Sequence, residues 1–199
     1  MIMLVVVTSC RQIEPLVEQE LSQGPEFTAE IESFDPETKT ALDGNSVVWS
    51  AADQIAVFQG TAKADKYQVD EDCIGTKEGI FAIVAKGETS SAETFNANIA
   101  IYPYQDGLAV TPTSATEYQI TGVTIPSTQT YTANTFSNGS FLMAAITDDL
   151  DDHTLNFKNL CGALKLQLKG TAKVKTIELK GNDSEPLSGD AIVKVYPDG

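Results

Sequence analysis

The stretch DGNSVVWSAADQIAVFQG, residues 43–60, contains two short apolar runs separated by residues that favour turns. The runs VVW and IAVF are rich in β-branched and aromatic side chains and have the length of strands. Gly44 and Asn45 precede the first run, and both residue types tolerate the positive φ angles of tight turns. Residues 43–60 therefore predict a turn, a strand, a second turn and a second strand.

The same pattern continues on both sides of this stretch. Residues 27–34, FTAEIESF, alternate with a period of two, as a half-buried strand does. Further strand-like runs, separated by turn residues, occupy 67–72, 79–87, 94–104 and 117–126. We found no long apolar stripe with the 3.6-residue period of a helix. This pattern predicts an all-β protein in which an N-terminal β-sandwich spans 27–147.

A second group of strands is predicted after an acidic run. Residues 148–154 are interpreted as an acidic linker, and LKLQLK at 164–169 alternates strictly between leucine and polar side chains. The strands predicted within 155–199 are fewer than the roughly seven of a complete sandwich. We expect 155–199 to be the start of a second β domain that is truncated. Its three leucines in LKLQLK should be partly uncovered unless they dock onto the first domain.

Charge and composition exclude several classes of function. The 199 residues contain 13 Lys and Arg against 28 Asp and Glu, a net charge of −15. Nucleic acids and polybasic membrane binding need clustered basic side chains, so both are disfavoured. A single histidine excludes a two-histidine metal site, and the three cysteines include no CxxC pair of the kind found in zinc clusters. We expect no metal and no other cofactor.

The first ten residues resemble the end of a secretion signal. An apolar run at 1–7 leads into VTSC at 7–10, which resembles the lipobox of bacterial lipoproteins. In those proteins the signal is cut before the cysteine, whose thiol then receives lipid. The resemblance implies a signal remnant at 1–9, lipidation of Cys10 and a tether over 10–26. The alternative is a buried N-terminal strand that ends in a free cysteine.

Two regions of unusual composition have both a functional and a structural interpretation. Residues 148–153 contain four aspartates, which indicate either a Ca²⁺ site or a solvated acidic turn. His153, beside them, is either a base or a turn residue. Residues 108–147 contain a single charged side chain, Glu117. They form either a recognition surface or strands joined by a Ser/Thr-rich loop at 126–140.

Aromatic and cysteine side chains leave similar alternatives. Trp49, Tyr102 and Tyr104 are candidates for stacking against sugars, and for Trp49 the alternative is a core position between sheets. Exposure of Tyr102, Tyr104 and Tyr131 on one patch would favour glycan binding. Cys73 and Cys161 either form a disulfide in an oxidising exterior or remain separate thiols.

Five motifs in series resemble those of the fimbrillin-like surface lipoproteins of Bacteroidota. They are TKTAL at 38–42, VWSAADQIAVF at 48–58, IPSTQTY at 125–131 with FLMAA at 141–145, FKNLCGAL at 157–164, and IELKGN at 177–182 with LSG at 187–189. The resemblance covers roughly residues 25–195. It implies transthyretin-like β-sandwich domains, export as a lipoprotein and display on the outer membrane. Since it implies no reaction, we expect the protein not to be an enzyme.

The resemblance also implies partners. In the family, subunits polymerise when a donor strand of one fills a groove in the next, after cleavage that usually follows an arginine. Arg11 is the only arginine here and adjoins the predicted anchor, which favours a tip, an anchor or a non-polymerising adhesin. Expected partners are outer-membrane lipid through Cys10, other fimbrial subunits by donor-strand pairing, and host or bacterial surface glycans. The second function left open is a glycan-binding surface lipoprotein or the N-terminal module of a carbohydrate-active protein.

Overall fold

The chain is all-β in the computed structural model, which confirms the fold class predicted from the strand pattern. The structure describes residues 24–32, 47–87, 95–131, 136–137, 139–162, 164, 166 and 168–197. Within these residues there are ten strands, one 3₁₀ turn at Glu71–Cys73 and no α-helix. The strands are β1 Phe27–Ile31, β2 Gln54–Gln59, β3 Asp65–Val69, β4 Glu78–Ala85, β5 Asn98–Tyr102, β6 Ala109–Pro112, β7 Tyr118–Ile125, β8 Met143–Ile146, β9 Thr154–Asn159 and β10 Gly189–Val195.

Seven of these strands close into a barrel, and the other three form a separate sheet. The barrel order is β1-β4-β3-β2-β5-β8-β9, and the three-stranded sheet has the order β10-β7-β6. Neighbouring strands are antiparallel except at the seam, where β1 and β9 are parallel. The strand spacing predicted two open sheets facing each other, and it gave no sign of this closure. The reason is that closure depends on a pairing between segments more than 120 residues apart.

The strand β9 differs from its predicted place. The sequence pattern divides Thr154–Asn159 between an acidic linker and a second β domain. In the structure this strand lies between β1 and β8, with Ala29 opposite Leu155 and Ile31 opposite Phe157. The physical reason is that β1 has one edge free after pairing with β4, and β9 satisfies the backbone groups of that edge. Residues 154–159 therefore belong to the same unit as the strands that precede them.

Three of the barrel strands, β2, β5 and β8, bury both of their faces, which explains their continuous apolar runs. Ile55 and Val57 of β2 point into the barrel core, whereas Ala56 and Phe58 lie under the three-stranded sheet. A second core therefore fills the space between the barrel and this sheet. The strand pattern predicts six inward side chains, and all six are at most 1% exposed: Trp49, Ile55, Val57, Phe81, Ile99 and Ile101.

One predicted strand is absent. The run VVW at 47–49 has no strand assigned, although Trp49 is tied to the chain after the 3₁₀ turn. The N–H of Trp49 donates to the carbonyl of Thr76 at 2.9 Å, and the N–H of Gly75 donates back to Trp49 at 2.8 Å. These two backbone hydrogen bonds both involve Trp49. They hold the indole in place but do not continue into a β-ladder.

Candidate functional site

Trp49 lies in the barrel core and not on the surface. Its side chain is 1% exposed. Its ring meets Phe81, Tyr102 and Phe157 edge to face, with centroid distances of 4.9, 5.6 and 5.8 Å. Gly79 makes room for the indole, because a Cβ there would lie 2.8 Å from Trp49 Cδ1. For Trp49 the structure therefore confirms the core interpretation and not the sugar-stacking one.

The hydroxyl of Tyr102 is bonded inside the molecule. It donates to Asp53 Oδ1 at 3.0 Å, while the N–H of Ser50 donates to Asp53 Oδ2 at 2.7 Å. Burial raises the pKa of Asp53, against the opposing effect of its hydrogen bonds from Ser50 and Tyr102. Burial, together with the charge of Asp53, also raises the pKa of Tyr102 well above its usual range. Tyr102 therefore remains a neutral donor to Asp53 and supports the turn at 50–53.

Tyr104 borders a small surface concavity where the two sheets meet. Lys66 Nζ lies 4.0 Å from the centre of the Tyr104 ring, a cation–π contact that occupies one face of the ring. The amide of Gln105 is bonded to the backbone of Thr124, at 2.8 and 3.2 Å. The concavity measures about 160 Å³, whereas ligand pockets usually measure roughly 300–1,000 Å³. It is lined by Lys63, Ala64, Gly87, Tyr104, Gln105, Gly107 and Leu108.

The acidic run forms an ordered turn. Asp149 Oδ1 accepts from the N–H groups of Asp151 and Asp152, both at 2.9 Å. From below, the buried Asn98 donates its side-chain N–H₂ to the carbonyls of Asp152 and Leu150, at 2.8 and 3.1 Å. Among the described residues, no group of three or more His, Cys, Asp or Glu side chains is placed to hold a metal ion. The turn shapes the connection from β8 to β9, and the carboxylates of Asp149 and Asp152 serve as local backbone acceptors.

His153 and Cys73 make packing and hydrogen-bond contacts within the fold, and the two described cysteines do not form a disulfide. The His153 ring contacts Phe27 at 5.1 Å between centroids, and its carbonyl accepts from the N–H of Thr28 at 3.0 Å. Cys73 and Cys161 are free thiols, both partly exposed. The Sγ atom of Cys73 accepts from the N–H of Ile80 at 3.3 Å. Cys10, the predicted lipidation site, lies outside the described residues, as do 1–9 and most of the predicted tether.

A series of exposed apolar side chains lies between β9 and β10, in residues 164–187, which we call the apolar segment. The described residues of this stretch have no strand assigned, although the alternation of LKLQLK predicted one. The expectation that the leucines of LKLQLK are uncovered is confirmed. The exposed fractions are 66% for Leu164, 48% for Leu166, 59% for Leu168, 58% for Val174, 49% for Ile177, 60% for Leu179 and 55% for Leu187.

Comparison of the chain with models of protein families, with curated proteins and with solved structures finds no match. In the part of the chain that the structure describes, we see no helix with the length and apolar character needed to cross a bilayer.

Two residues that stabilise the fold, Asn98 and Asp53, were not identified from the sequence. Asn98 lies in the run NANIAIY, where the only signal was an uncharged polar side chain amid apolar ones. Asp53 stands just before a strand, a place where aspartate commonly caps a turn. Neither signal indicates which distant groups these side chains bond, because both sets of partners include residues about 50 positions away.

Proposed function

We propose that the protein is a non-catalytic cell-surface lipoprotein that acts as a fimbrial subunit of the tip or anchor type, or as an adhesin. The observation that carries the proposal is the apolar segment, since large exposed apolar regions on folded proteins mark interaction surfaces. Its sequence belongs to the motif series that resembles the fimbrillin-like family. In this proposal the barrel and the three-stranded sheet together are the transthyretin-like unit, which the second core between them supports.

A non-catalytic role is supported by what the candidate chemical groups do. Trp49 packs in a core, Asp53 and Tyr102 bond to each other, and Asp149 and Asp152 accept backbone bonds in the acidic turn. Each of these groups has a structural task that accounts for its position. The proposed partners are outer-membrane lipid through Cys10 and other fimbrial subunits by donor-strand pairing.

The proposed anchor is tested by lipid labelling in a bacterial host that processes lipoproteins. We expect radiolabelled palmitate to enter the full-length chain and to be lost in Cys10→Ser, because Cys10 supplies the only thiol of the lipobox. Cys73→Ser is the matched control, since it removes another thiol and should keep the label. Unchanged labelling of Cys10→Ser would show that the anchor assignment is wrong.

A glycan-binding surface lipoprotein is the second candidate. Tyr131 favours it, because an aromatic ring that is 88% exposed is available to stack on a sugar. Tyr104 contributes less, since Lys66 covers one face of its ring. Glycan binding that is lost in Tyr131→Ala and retained in Tyr118→Phe, which keeps a mostly buried ring, would favour this candidate over the first.

A further inference from the structure

Two lysines border the concavity where the barrel meets the three-stranded sheet. Lys63 lines this concavity and is exposed, and the half-buried Lys66 lies over the ring of Tyr104, another lining residue. Within the described part of the chain, neither lysine forms an ion pair with a carboxylate. The chain has 28 acidic against 13 basic side chains, so acidic partners are plentiful elsewhere. The positive charge of these two lysines is therefore available to a ligand.

The charges around the concavity leave a small positive excess. Asp106 lies between two lining residues in the chain, and Asp65 and Lys86 adjoin the lining residue Gly87. Both carboxylate oxygens of Asp65 accept bonds within the fold, from the N–H of Gly87 at 2.8 Å and from the side-chain amide of Gln59 at 3.0 Å. The described rim thus carries three lysines against two aspartates, a net charge of +1. Exposed carboxylates more than about 10 Å away are largely screened at about 0.1 M salt.

The backbone holds the walls of the concavity in place. The carbonyl of Ala62 accepts from the N–H of Val110 at 3.2 Å, which ties the loop between β2 and β3 to β6. Gly87 approaches this loop so closely that a Cβ there would lie 2.4 Å from the carbonyl oxygen of Ala64. With a volume of about 160 Å³, the concavity is smaller than the roughly 300–1,000 Å³ of a whole-ligand pocket. It therefore suits one charged group of a larger ligand.

We infer that this concavity binds the carboxylate of an acidic sugar residue, such as a uronic acid, on a surface glycan. The ammonium groups of Lys63 and Lys66 donate to the carboxylate oxygens, and the Tyr104 ring forms an apolar wall beside the sugar ring. A single carboxylate matches the net charge of the rim. The inference rests on the glycan-binding candidate of the proposed function, for which it names the class of sugar.

The experiment is a titration of the full chain carrying Cys10→Ser with glucuronate, followed by the backbone amide signals in NMR spectra. We expect saturable shifts of the amides that line the concavity, at residues 63, 64, 87, 107 and 108. Glucose should leave these signals unchanged because it has no carboxylate, and acetate should bind at least about fivefold more weakly because it has no ring. No saturable shift with glucuronate, or an equal affinity for glucose or acetate, overturns the inference.

Two variants locate the site. Lys63→Ala and Lys66→Ala should each weaken glucuronate binding about tenfold or more, since each removes a charged donor. Lys158→Ala is the matched control, because it removes an exposed lysine of β9 that does not line the concavity. Equal weakening by Lys158→Ala would show a general charge effect and overturn the inference. Glycan binding that depends on Tyr131 but not on Lys63 would also overturn it, while the glycan-binding candidate itself would stand.

Discussion

Asp53 is the residue where burial and hydrogen bonding oppose each other most directly. The carboxyl group accepts from Ser50 and Tyr102, bonds that favour its ionised form. Burial favours the neutral form and is the larger effect, so the pKa of Asp53 lies above its ordinary 3.8. The neighbouring indole of Trp49, which contacts Tyr102, is the single tryptophan of the chain and reports on this region.

A raised pKa predicts how Asp53 changes stability with pH. Its contribution is fully present below the unfolded-state pKa near 3.8 and is lost as the pH rises through the higher folded-state value. We therefore expect the wild type to lose stability relative to Asp53→Asn as the pH rises from about 4 towards neutrality. Urea unfolding followed by Trp49 fluorescence measures this difference at each pH.

The control for this prediction is Asp151→Asn, which removes one negative charge from an exposed position of the same acidic chain. If the wild type instead gains stability over Asp53→Asn with rising pH, the two hydrogen bonds outweigh burial. The carboxylate would then be the form that the fold stabilises.

The turn between β8 and β9 shows how one buried side chain organises a loop. Asn98 begins β5, a strand that neighbours β8, and its side chain is 1% exposed. It donates to two carbonyls of the acidic turn, while Thr147 Oγ1 accepts from its backbone N–H at 2.8 Å. The turn thus connects β8 to β9 and places β9 beside β1, with which it pairs in parallel.

Removal of this amide should destabilise the protein and loosen the turn. Asn98→Ala leaves two carbonyl oxygens without their donor, and we expect the free energy of unfolding to fall by about 1–3 kcal/mol. Hydrogen exchange should also accelerate over 148–154. Gln105→Ala is the matched control, because that amide also makes two bonds to backbone but at an exposed site. An equal loss of stability in both variants would contradict the assigned role of Asn98.

At the scale of the whole molecule, the two cores share the strands that lie between them. Ala100 of β5 belongs to the barrel core, whereas Ile99 and Ile101 face the second core. Leu155 of β9 lies in the first core and Val193 of β10 in the second. A strand common to two cores cannot lose one of them without disturbing the other, so the unit should unfold cooperatively.

This sharing predicts one unfolding transition for both ends of the chain. Leu155→Ala should lower the free energy of unfolding by about 2–5 kcal/mol, and Val193→Ala should shift the same transition by less. Far-UV circular dichroism and Trp49 fluorescence should coincide in each variant. Leu168→Ala, at a site that is 59% exposed, is the control and should change stability by at most about 0.5 kcal/mol. If the protein instead unfolds in two transitions, and Leu155→Ala shifts one while Val193→Ala shifts the other, the result would support the division into two domains near residue 155.

The sequence by itself determined the all-β class and several of the buried side chains, among them Trp49, Phe81 and Ile101. Period-two alternation and β-branched runs are local properties, so FTAEI and IAVF predict strands without knowledge of the rest of the chain. The alternation of LKLQLK likewise predicted leucines in need of cover, and they are exposed in the structure. These predictions depend only on the positions of apolar residues relative to their near neighbours.

Only the tertiary structure decided which strands meet. The parallel pairing of Ala29 with Leu155 closes the barrel, and the pairing of Ala191 with Val123 brings β10 back to β7. Both join residues far apart in the chain, where local pattern carries no information about partners. Trp49, Asp53 and Asn98 follow the same rule, since each is assigned to a core or a turn by distant contacts. Pairing is chosen by the backbone groups and apolar faces that remain unsatisfied after the local strands have formed.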